Sequence, residues 1–309
     1  MVLAILIALA PIVLLVAAGN LMRRRGFLAD TFWPQAERLS YFVLLPCLFI
    51  HGLAMADLDG VPVLRLAAVL VVSTFGTALL MVLARRVIGG GGPAFTSVFQ
   101  GGVRFNNYVG VTAAIALFGA PAIGLSAVAN AAIVPTVNIL VILVFAQYAG
   151  AEPSIRGVVR GIVTNPLVVA CAIGVTLQAT GLGLPPGVAG AVKALGTASL
   201  PLGLLCVGAA FQWKAVGTAV RPTVAAMIFK FGVMPAATVL ACLAFGLSGP
   251  PAAVAVLFQT LPTASSAYIL ARQLGGDAPL MASIVTVQTV AAAIAVPAVL
   301  LLSPVVLQI

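Results

Sequence analysis

Charge is what this sequence most lacks. Of 309 residues only 7% are Asp, Glu, Lys or Arg, against the quarter or so that a soluble domain needs to cover its surface. There are six acids, one histidine and four cysteines. So few acids leave no carboxylate pair for general acid and base work and no oxygen-rich metal site. A single histidine, with Cys47, Cys171, Cys206 and Cys242 scattered through apolar runs and no C-x-x-C spacing, gives no metal centre and suggests free, buried thiols. Nor is there a Gly-rich phosphate loop or nucleotide fold, so any work the chain does is not driven by its own ATP hydrolysis. No cofactor is expected, and no enzymatic activity. The net charge of +9 would suggest nucleic acid in a soluble protein. Here the bases sit in short segments between apolar runs and read as topology signals, so no nucleic-acid partner is implied.

What is abundant is apolar: hydrophobic residues make up 62% of the chain. Each crossing of a bilayer takes about 20 apolar residues, which leaves room for roughly ten. Charge-free windows, divided at FGAPAIG, TGLGLPPG and FGLSGPP, give spans near 2-22, 38-56, 62-84, 94-118, 122-148, 157-179, 187-211, 219-246, 250-273 and 278-302. The first is read as a span and not a secretory leader, because no base precedes it and three arginines follow. With both termini outside, the inside loops carry eleven bases and the outside loops only Arg65 and Lys193. All six acids, Asp30, Glu37, Asp57, Asp59, Glu152 and Asp277, fall at span ends or in loops. The Ala, Gly and Val richness points to a bacterial inner membrane.

A shift of 155 places superposes Pro11, Gly19 and Gly26 on Pro166, Gly174 and Gly181, and Leu45-Pro46 on Leu200-Pro201. With small insertions, Phe99-Gln100 meets Phe258-Gln259 and Leu117-Phe118-Gly119 meets Gln273-Leu274-Gly275. Residues 1-150 and 155-309 therefore read as two five-helix repeats. An odd number of spans per repeat inverts the second copy, the architecture of secondary transporters with a site near the midplane.

The most polar mid-membrane segments are Gly101 to Gly110 in the fourth span and Thr260 to Tyr268 in the ninth. Backbone amides cannot go unpaired in lipid, so such runs belong where helices are interrupted and face a cavity or other helices. Gly102, Gly110 and Pro262 read as the breakers. Half-helix N-termini meeting there would favour an anion. Arg104 has two readings: a bidentate clamp for a carboxylate, or a guanidinium that snorkels or caps the carbonyls of the broken helix. Lys230 reads as a snorkelling lysine ahead of a ligand, and His51, in the second span, as a packing residue ahead of a proton relay. Asn138 and Gln288 lie at comparable depth in the two repeats and either line the same cavity or bond helix to helix. Pro46 and Pro201 are expected kinks. Two short motifs are set aside: the serine of Gly246-Leu247-Ser248-Gly249 falls in a turn far from the one histidine, and Asn165-Pro166-Leu167 has no second copy to form a water-channel pair.

In order along the chain, RFNNYVG, ALFGAP, TNPLVVACAIG, SLPLGLLCVGAA and LPTASSAYILARQLGGD resemble the bacterial auxin efflux carrier family, which includes malonate-carrier-like members and is related to the plant auxin exporters. The resemblance covers essentially the whole chain. It implies an all-α, ten-helix inverted-repeat fold like that of bile-acid and sodium/proton transporters, with the fourth and ninth helices crossing at the site. It also implies secondary transport of small organic anions by an elevator-like movement, and a homodimer in the lipid bilayer. Carried over, the crossing involves Asn106, Asn107 and Tyr108 on one side and Pro262, Ser265 and Ser266 on the other, with Thr263 between them. The carboxylates that related sodium- or proton-coupled carriers place near the crossing have no counterpart here. An anion-selective channel or passive uniporter is the alternative function.

Overall fold

In hydrocarbon a helix is the one open-chain structure that satisfies every backbone N–H and C=O within its own segment, so long uncharged runs are held to it. The computed structural model describes residues 2–55, 62–150, 160, 163–217 and 219–303, and among these there are helices and turns but no strand. In chain order the helices are α1 (Val2–Arg24), α2 (Phe32–Leu39), α3 (Leu45–Ala54), α4 (Val63–Leu83), α5 (Arg85–Ile88), α6 (Gly92–Val103), α7 (Asn107–Phe118), α8 (Ala122–Ala149), α9 (Pro166–Ala179), α10 (Pro186–Ala209), α11 (Val220–Ile228), α12 (Met234–Phe245), α13 (Gly249–Gln259), α14 (Ser266–Gln273) and α15 (Ala278–Leu302). Seven continuous stretches are long and apolar enough to cross a membrane: Leu3–Arg24, Phe32–Ala54, Val63–Leu83, Ala122–Ala149, Pro186–Ala209, Val220–Phe245 and Ala278–Leu302. The chain is a multi-pass helical membrane protein. Of the charged loop residues, Asp57, Asp59, Glu152 and Arg156 lie outside the described residues.

The second crossing begins earlier than the charge pattern implies, at Phe32, which takes Glu37 and Arg38 into its first two turns. The reason is packing: Trp33 and Ala36 are buried with Cys206 and Ala209, so the amphipathic start of the helix has a core to rest on. Two crossings contain a π turn, Ser40–Leu44 and Phe229–Val233, each just ahead of a proline, Pro46 or Pro235. A proline offers no N–H to the carbonyl four residues back and crowds it, so the ladder slips to a wider turn there. Pro201, by contrast, lies within the unbroken helix α10.

By its internal contacts the chain divides into two units: Met1–Val61, Asn107–Ala131 and Arg160–Ala210 in the first, and Pro62–Asn106, Ala132–Val159 and Phe211–Ile309 in the second. In the first unit, backbones touch where side chains are missing. A Cβ on Gly19 would lie 2.0 Å from the Leu205 carbonyl oxygen, and one on Gly208 would lie 1.8 Å from that of Val16. Such close approach is how helices associate in lipid, where dispersion and not water expulsion drives them together. Gly208→Leu should therefore force α1 and α10 apart and lower stability by at least about 1–3 kcal/mol. Thermal unfolding of the purified protein would read this as a lower midpoint; an unchanged midpoint would count against the close approach. The four cysteines carry free thiols, three of them buried.

Candidate substrate site

Two helices of the second unit stop short. Helix α6 ends at Val103, Arg104 turns to an extended conformation (φ −76°, ψ 159°), and helix resumes only at Asn107. Helix α13 ends at Gln259, and α14 starts at Ser266 after a non-helical stretch that contains Pro262. The breaks fall in the two polar runs singled out in the sequence. The glycines ahead of the first break have a packing role. A Cβ on Gly101 would sit 2.7 Å from Ile284 Cγ2 and 3.0 Å from Ala226 Cβ, and one on Gly102 would sit 2.4 Å from Met81 Sδ. Gly102 is helical and Gly110 lies buried within α7, so neither is itself at the break, which Arg104 to Asn106 make.

A helix that stops inside a protein leaves carbonyls without partners, and these must be satisfied locally. The Gly101 carbonyl accepts from Gln288 Nε2 at 2.9 Å and from Thr263 Oγ1 at 3.0 Å. Gln288 Oε1 in turn accepts from the Thr263 backbone N–H at 3.0 Å, and its Nε2 also lies 3.4 Å from the Ala226 carbonyl. One fully buried glutamine from α15 thus ties the end of α6 to the break after α13. A second lashing runs from Gln100 Nε2 to the Ala267 carbonyl at 3.4 Å. Thr263, expected at the crossing, spends these polar atoms on the scaffold, and of the two readings of Gln288 it is the bonding of helix to helix that these contacts show.

Arg104 and Asn138 come together: the guanidinium Nη1 donates to Asn138 Oδ1 at 3.4 Å, a long hydrogen bond, and both side chains are partly exposed. Asn106 is 2% exposed, Ser265 is partly exposed and Ser266 is exposed at the first turn of α14. These belong to the second unit together with Thr263, Pro262 and Gln288. Asn107 and Tyr108 open α7 in the first unit, where the Tyr108 ring packs so closely on Gly203 that a Cβ there would lie 2.2 Å from it.

At these elements the roles of two glutamines escaped sequence reading, and a lysine departs from its expected place. Gln259, the repeat partner of Gln100, places Nε2 2.9 Å from Ser73 Oγ, 2.8 Å from Thr74 Oγ1 and 3.1 Å from the Leu70 carbonyl, so it moors α13 to α4. The paired Phe-Gln dipeptides were the available signal for both glutamines. Lys230 does not snorkel: its exposure is 0%, and its Nζ has no hydrogen-bond partner among the described residues. The snorkelling reading rests on how far Lys230 lies from the inner end of its span, and that distance says nothing of the elements that close over the π turn. Of the motifs set aside, Asn165 caps α9, accepting from the backbone N–H groups of Leu167 and Val168, and Ser248 lies in the turn before α13.

Apolar crossings, two of the helices broken, and polar side chains used to hold the breaks together describe a polytopic membrane protein built around a buried polar centre. The family model for membrane transport proteins matches residues 4–300, and the chain belongs to that family, the auxin efflux carriers. It is a family of transporters and not of enzymes. No curated protein matches the sequence.

Proposed function

We propose that the protein is a secondary carrier of small organic anions, carboxylates in particular, and that Arg104, Asn106, Asn138, Ser265 and Ser266 form its anion site, with Thr263, Gln288 and Pro262 shaping it. The observation that carries this reading is Arg104 at the break of α6, its guanidinium set beside Asn138 in the same unit as the second break. A planar guanidinium matches a carboxylate with two parallel hydrogen bonds. The first turn of α14, opening at Ser266, adds a positive dipole end.

The ten-span inverted repeat is part of the same proposal. The three crossings missing from the seven continuous ones are the two broken helices and the one described from Pro166 onwards. Glycines paired by the repeat share a backbone state: Gly26 (φ 64°) with Gly181 (φ 67°), and Gly119 (φ 74°) with Gly275 (φ 78°), each just past a helix end. Elevator-type alternating access suits a division in which all the proposed ligands travel in one unit. Both termini are placed outside a bacterial inner membrane, and the working form is taken to be a homodimer.

The test is thermal stabilisation of the purified protein by a panel of mono- and dicarboxylates and neutral solutes, at two pH values, with and without sodium, since a ligand that binds only the folded state raises its melting midpoint. An upward shift with one class of acid is expected. No shift with any acid, or single-molecule currents above about 10⁵ ions per second, faster than μs to ms conformational cycling allows, would favour an anion channel instead.

A further inference from the structure

Lys230 carries an amine in the wrong place for a structural residue. It sits in the π turn Phe229–Val233, is wholly buried, and among the described residues nothing accepts a hydrogen bond from its Nζ. π turns inside longer helices often mark functional positions. The elements packed against this one are α4, α6, α11, α12 and α15. Their charged or titratable residues are Arg65 on α4, Arg221 on α11 and Cys242 on α12; α6 and α15 have none of their own, though Arg104 follows the one and Asp277 precedes the other. Arg65 is exposed at the start of α4, and Arg221 is exposed with its guanidinium on the Val87 carbonyl. No element packed on the turn thus carries a carboxylate as a counter-ion for Lys230.

The turn nevertheless abuts the end of α6, just ahead of Arg104. Phe229 Cβ lies 3.4 Å from where Gly102 would carry a side chain, in the last turn of the helix that Arg104 caps. Ala226, one turn before Lys230, lends its carbonyl to Gln288. A proton on Lys230 with the site empty therefore puts a buried positive charge in the turn packed on the end of α6, where Arg104 stands partly exposed, and no packed element gives Lys230 an acid to balance it. A carboxylate on Arg104 supplies that balance. Two ligands of opposite charge at such a place favour each other's binding, and the coupling is reciprocal.

Resting on the carrier reading above, we propose that Lys230 is the proton-binding group of the transport cycle. Its Nζ lone pair takes one proton from the medium on the side where the anion loads, and returns it to the medium on the side where the anion leaves. The carrier is then an anion–proton symporter that needs no membrane-embedded carboxylate.

The experiment is uptake of radiolabelled malonate and succinate, diacids that stay ionised and so do not cross lipid unaided, into proteoliposomes at clamped zero potential, with protein-free vesicles subtracted. One-to-one coupling gives an equilibrium accumulation of about tenfold per unit of pH gradient for the wild-type protein. Lys230→Met and Lys230→Arg, the latter charged at every working pH, should still exchange labelled for unlabelled acid but no longer accumulate it in a pH gradient. A measurement on the wild-type protein alone guards against misfolded variants: malonate added to a weakly buffered solution of the purified protein at pH 8, where malonate is a dianion, should draw about one proton per site from the medium. Unchanged pH-driven accumulation in both variants, or no proton uptake on malonate binding, overturns the role of Lys230 and leaves the carrier intact. Absence of protein-dependent movement of either acid, by uptake or exchange, overturns the carrier reading and this proposal with it.

Discussion

Replacing Arg104 by alanine is expected to abolish stabilisation by carboxylates while leaving the unliganded protein folded. Truncating one partner of a hydrogen-bonded charge pair removed from water costs about 2–5 kcal/mol, which is on the order of 30- to 5,000-fold in affinity. Arg104→Lys keeps the charge but not the planar fork, and should fall between, with a loss of about tenfold. The melting midpoint without ligand should not drop in either variant, because an intramembrane guanidinium is itself costly to insert. Thermal shift titrations against the acid panel read both effects at once. Full affinity in a folded Arg104→Ala protein would remove the clamp from the site.

The second large effect is expected at Gln288, and it should be one of stability. Gln288→Leu deletes the acceptor for the Thr263 N–H and one of the two donors to the Gly101 carbonyl, leaving a buried amide unpaired. That costs about 2–3 kcal/mol. Thr263→Val removes only the hydroxyl bond to the same carbonyl, worth about 1 kcal/mol. Because the two side chains share Gly101 as an acceptor, the double variant should depart from the sum of the singles. Unfolding midpoints of the four proteins complete the cycle. If Gln288→Leu melts with the wild type and loses only acid binding, the glutamine is a ligand and not a tie between the breaks.

Much of the polar centre was legible in advance because lipid leaves a chain little freedom. Asn106-Asn107 and Thr263 to Ser266 stand out in a sequence otherwise short of polar residues at mid-membrane depth, and the interruptions of α6 and α13 fall there. Pro262 cannot donate to a helical ladder, and the Gly101-Gly102 pair weakens one, so these breaks have local causes. What each polar side chain does was not legible. Asn138 and Gln288 look equivalent by depth, yet Asn138 reaches Arg104 whereas Gln288 is consumed by backbone groups of three other segments. Tyr108, beside the asparagines in sequence, packs on Gly203 nearly a hundred positions away.

By itself the sequence determined the class of this protein: the scarcity of charge, the length of the apolar runs and the order of its motifs identify a helical, multi-pass member of a transport family, since hydrocarbon tolerates only self-satisfied backbone. Tertiary structure alone decided where each buried polar group finds a partner. It extended the second crossing back to Phe32 by burying Trp33, and it turned Gln100, Gln259 and Gln288 into ties. It also enclosed Lys230, which hydropathy would place at a surface. The physical reason is common to all of these. Burial and hydrogen-bond satisfaction depend on neighbours brought from distant parts of the chain, whereas helix formation in a membrane depends only on the segment itself.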